Sequence, residues 1–94
     1  MNDSVILRFL MKFSEDKTFS TLENSLANGN IEEAFRAAHT LKGLCLNLGF
    51  NDLYTPSAKL TEILRAGKTD GAGELFEKVK EKYGTVINGI KNLD

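Results

Sequence analysis

Apolar residues recur along most of this chain at alternating steps of three and four, the spacing that lays one apolar stripe along an α-helix. No stretch alternates apolar and polar residues strictly enough to predict a strand. The clearest stripe is Phe76, Val79, Tyr83, Val86, Ile90 and Leu93, which predicts a last helix after a polar turn. Upstream, Ser4 is a candidate N-cap for a first short helix to about Phe13, with Val5, Ile6, Phe9, Leu10 and Phe13 on its inner side. Asp16 caps a second helix over 17–28, where Phe19, Leu22 and Leu26 share a face and Gly29 supplies the stop. Asn30 followed by Glu33 makes a capping box for a third helix over 31–48, ended by Gly49. The fourth carries Leu53, Leu60, Ile63 and Leu64. Pro56 cannot donate an amide hydrogen, so this helix either starts at Thr55 and Pro56 or is kinked there, and Gly67 closes it.

Connections this short favour antiparallel neighbours. The expected fold is all-α: an antiparallel up-down four-helix bundle of helices two to five, with the short first helix packed across one end as an accessory.

Composition narrows the function. Ninety-four residues fit one domain, 1–94, and 41% apolar with 27% charged residues of mixed sign is a globular balance. The formal net charge of -1, with no long Lys or Arg block, argues against nucleic acid. Val5 to Met11 is interrupted by Arg8 and has no cleavage site after it, so it does not read as a signal peptide. No apolar run approaches the roughly 20 residues of a membrane span. A lone cysteine gives no disulfide and no sign of an oxidising compartment, which leaves the cytoplasm as the expected location.

The chemistry concentrates on the third helix, around the single histidine. With His39 at the origin of a helical wheel, Ala34, Ala37, Leu41, Leu44, Cys45 and Leu48 fall on the far side and form the core face. Sharing its own side are Glu32, Phe35, Arg36, Lys42, Gly43 and Leu46. A glycine inside a helix costs about 1 kcal/mol relative to alanine, so Gly43, one turn from His39, calls for a packing or access reason. Lys42 can swing its ammonium towards an anion on the imidazole. Phe35 and Leu46 bring apolar surface to the same side, as docking patches do, although they could instead seal the bundle's edges.

The segment Ala34 to Phe50, AFRAAHTLKGLCLNLGF, resembles the signature of histidine-containing phosphotransfer (HPt) domains, in which His-x-x-Lys-Gly lies on a bundle helix and Leu-Gly follows at its end. Here those residues are His39, Lys42, Gly43, Leu48 and Gly49. The resemblance implies that His39 accepts a phosphoryl group, that Lys42 supports it electrostatically, and that Gly43, with Phe35, Arg36 and Leu46 around it, admits a docking partner. It also implies the partners: a response regulator's receiver domain and a sensor histidine kinase. Many relatives place a glutamine or glutamate against the histidine ring from the adjacent helix. The corresponding residue here is Thr61, with Lys59 nearby, so Thr61 is the candidate for orienting the ring.

The unprotonated nitrogen of a neutral imidazole can attack phosphorus in line. The chain has no acidic cluster for magnesium and no nucleotide site. Gly67, Lys68 and Thr69 imitate the end of a P-loop, but the first glycine of that motif would fall on Glu62. The expected protein is therefore a monomeric carrier without a resident cofactor or metal, not an enzyme in its own right. It relays phosphoryl groups between receiver aspartates, or from hybrid kinase to regulator, while the receiver supplies most of the catalysis. The alternatives are a bundle that docks receivers without carrying phosphate and, more remotely, a hydrolase using His39 as base or ligand. Cys45, central on the core face, reads as a small buried hydrophobe.

Overall fold

The computed structural model describes the backbone of residues 3–92 and the side chains of residues 8–92. It contains five helices and, among the described residues, no strand: α1 Asp3–Glu15, α2 Thr18–Ala27, α3 Ile31–Leu48, α4 Asn51–Arg65 and α5 Ala72–Lys91. The molecule measures 44 × 19 × 18 Å.

The helix boundaries have local causes. Asp16 stands two residues ahead of α2 and its carboxylate accepts the Thr18 amide at 2.7 Å. At the other end Gly29 takes a φ of 73° and the Asn30 amide donates back to the Ser25 carbonyl at 2.9 Å, a turn that only a residue tolerant of the left-handed region closes cheaply. The Asn30 side chain then accepts the Glu33 amide at 3.1 Å and starts α3. Glu33 does not complete the reciprocal half of a capping box. Its carboxylate accepts from the buried Ser25 hydroxyl and ties the start of α3 to α2.

Two expectations about the ends of elements need correcting. Helix α4 starts at Asn51 and runs through Pro56, so the proline is neither its start nor its first turn. The missing amide costs the carbonyl of Asp52 its helical partner, yet Leu53 and Pro56 are both buried, and that burial holds the segment helical. Helix α1 starts at Asp3, ahead of the expected cap Ser4, and Phe9 is 57% exposed, not on the inner side. Phe13 is buried and Leu10 packs against the core; the side chains of Val5 and Ile6, and Leu93 of the α5 stripe, lie outside the described residues.

Consecutive helices from α2 to α5 pack on one another, and α1 packs on α5. Leu22, Leu41, Leu53, Leu60 and Val79 are closed to solvent and form the central column. Aromatic rings link the ends of the chain. Phe19 of α2 stacks on Tyr83 of α5 at 4.2 Å between centroids and on Phe76 at 5.5 Å. Phe13 of α1 reaches both Tyr83 at 5.7 Å and Phe50, in the turn between α3 and α4, at 5.2 Å. Three of these separations fall within the favourable range of aromatic pairs, about 4.5–7 Å, and the Phe19–Tyr83 stack is slightly closer. The rings join α2 to α5 and hold α1 in place. No helix of the described residues is long and apolar enough to cross a membrane.

Candidate functional site

Helix α3 is packed on both flanks, by α2 and α4, which leaves an outward arc to solvent. Its inward arc is closed: Ala34, Ala37, Ala38, Leu41 and Cys45 are buried, with Leu44 and Leu48 partly so. Cys45 is fully enclosed, and burial pushes its thiol up to about 11, against a weaker opposing effect of the nearby Ser57 hydroxyl. The thiol is therefore protonated at neutral pH and behaves as a core side chain.

His39 lies on the outward arc and is exposed. One turn further on, a Cβ built on Gly43 would meet nothing within 4 Å. Packing inside the fold therefore gives no reason for a glycine here. Lys42 is half-buried beside His39 and forms no ion pair among the described residues. Leu46, two turns along, is 67% exposed, an unusual state for a leucine of this otherwise well-covered helix. Arg36 is exposed and paired with Glu32 at 3.5 Å.

Two assignments change. Phe35 is not a free outward side chain: it is half-buried, packs against the core, and stacks on the His39 ring at 6.0 Å between centroids with an interplanar angle of 21°. Thr61 makes no hydrogen bond to that ring among the described residues. It is fully buried, and its hydroxyl donates to the Ser57 carbonyl at 2.7 Å, within α4. What α4 does send to this side is Arg65, whose guanidinium lies over the Phe35 ring at 5.1 Å from its centroid. Periodicity gave no signal for Arg65, because it marks which face of one helix is apolar but not which side chains meet across two helices.

No group of three or more His, Cys, Asp or Glu among the described residues could hold a metal ion. Gly67 spends its positive φ of 73° on closing α4, with the Lys68 amide donating to the Ile63 carbonyl at 3.2 Å, so Gly67, Lys68 and Thr69 form a helix stop with no likeness to a phosphate loop. The outward arc thus combines an accessible nucleophile, the cations Lys42 and Arg36, a gap with no side chain and an exposed apolar residue. Such a surface can pass a small charged group to or from a second protein that covers it. Residues 9–89 match the family model described as Hpt domain. No curated protein and no solved structure matches the chain.

Proposed function

The chain belongs to the Hpt domain family, whose members are phosphocarrier modules of two-component signalling that work with receiver domains and kinases, and from that premise we propose that His39 is the residue that carries the phosphoryl group. The observation that carries this reading is the open surface at Gly43 one turn from an exposed His39. A receiver domain docks over Gly43, with Phe35, Arg36 and Leu46 around the contact, and brings its phosphoaspartate in line with the ring. The unprotonated ring nitrogen forms the new N–P bond as the P–O bond to the aspartate breaks and its electron pair returns to the carboxylate. The ring then carries one positive charge, which it sheds by releasing the proton on its other nitrogen to water. Lys42 offsets charge on the transferring phosphoryl oxygens. Reversal hands the group to the next aspartate. A receiver and a sensor kinase are thus the partners, and the rate is set chiefly by what the receiver contributes.

In the same reading residues 1–94 are one domain, monomeric and cytoplasmic, and α2 to α5 form an antiparallel up-down bundle with α1 as its accessory. The turns of only a few residues between these helices support that topology.

Thr61 gives the second reading some weight. With its hydroxyl committed to Ser57, no α4 hydrogen bond fixes the imidazole from that position, as suits a module that docks receivers without carrying phosphate. The intact mass of the protein after mixing with a phosphorylated receiver discriminates. A carrier gains one acid-labile phosphoryl group, lost in His39→Gln with the fold intact. A docking module binds the receiver with no gain in mass, and a gain that survives His39→Gln puts the site elsewhere.

A further inference from the structure

An exposed imidazole turns about two side-chain torsions, and in-line transfer needs one orientation of its ring. No side-chain hydrogen bond to His39 supplies that restraint among the described residues. The aromatic neighbour does. Phe35 sits four residues earlier on the same side of α3, near parallel to the imidazole at 21° and 6.0 Å. Its own position is fixed twice over, by packing against the core and by the Arg65 guanidinium at 5.1 Å, inside the usual cation–π range of about 6 Å. Arg65 is in turn paired with Glu62 at 3.4 Å on α4. A line of contacts therefore runs from Glu62 through Arg65 and Phe35 to the imidazole, crossing from α4 to α3 one turn beyond Thr61, whose hydroxyl is committed to Ser57.

We infer that Phe35 is a positioning residue that holds the His39 ring in its reactive plane, with Arg65 clamping Phe35 from α4. The inference rests on the carrier reading of His39 and adds to Phe35's place on the docking surface. It gives the ring a restraint by stacking where a hydrogen bond is missing, so the aromatic character of position 35 matters and not only its bulk.

Phosphoramidate, a small donor that needs no receiver, separates this role from docking. In the wild type the His39 ring-proton resonances are displaced by the Phe35 ring current. In Phe35→Leu they move to free-imidazole positions and labelling by phosphoramidate slows about two- to tenfold, the factor an aromatic pair contributes. Phe35→Tyr restores both. Arg65→Gln, which leaves the core untouched, shifts both in the same direction by less and decides the matter if Phe35→Leu fails to fold. Unchanged resonances and unchanged labelling in these variants overturn the positioning role while the carrier reading stands. Failure of phosphoramidate to label wild-type His39 overturns the carrier reading itself.

Discussion

Within one turn of α3, Leu41 is 1% exposed and His39 stands open to solvent, and the two arcs they belong to obey different rules. On the inward arc every side chain is apolar and sized to its gap, from three alanines to Leu41 and Cys45. On the outward arc the choices work against the fold: a glycine that lowers helix stability, a leucine left 67% exposed, a half-buried lysine with no ion pair among the described residues. Local conflicts of this kind mark where a sequence serves something other than its own folding. The residues that stabilise the helix and the residues that use it can therefore be told apart by the sign of their substitutions.

The largest effect is expected inward. Leu41→Ala should cost about 2–5 kcal/mol in a urea melt, because the column it leaves has little room to collapse. A smaller loss would mean that α2 and α4 close over the gap. Gly43→Gln should weaken receiver docking by about 1–3 kcal/mol, the range for forcing bulk into a packed contact. The same change should raise stability by up to about 1 kcal/mol, since a side chain there meets open space and glycine is the poorer helix former. A stability loss at position 43 would break the contrast between the arcs. The last effect is confined to high pH. An unfolded Cys45 ionises around its ordinary value of 9.0, whereas in the fold the thiol keeps its proton to about 11. The unfolded state therefore binds fewer protons in this window, and stability falls as pH rises from 9 towards 11. Cys45→Ala should flatten that part of the stability profile and leave neutral pH free of any slope from this group.

Helix α3 was legible in the sequence to its limits, Ile31 and Leu48, because Asn30 and Gly49 act through backbone groups that sit beside them in the chain. Its inward residues followed from the wheel, except Ala38. The wheel assumes one buried side, whereas α3 is covered by both α2 and α4, so its closed arc is wider. Helix α1 misled for a related reason. Apolar residues lie on several of its sides, so the pattern does not choose a face, and packing on α5 buries Phe13 and leaves Phe9 out. Pro56 suggested a helix start, and only tertiary burial at Leu53 overrides it. His39, Lys42 and Gly43 could be singled out because one helix carries them all. The stacking of Phe35 and the arrival of Arg65 depend on how α4 lies against α3, which no spacing along a single helix encodes.

The glycine turns at 29, 49 and 67 have a kinetic side as well. Because each helix from α2 onward finds its main partner in a neighbour along the chain, the loops to be closed are short and little chain entropy is spent before contacts form. Topologies of this kind reach the folded state in microseconds to milliseconds. The rings of Phe13 and Phe19, set against Phe76 and Tyr83, bring together distant stretches of sequence, so the search for the native arrangement ends on the meeting of the chain's two ends.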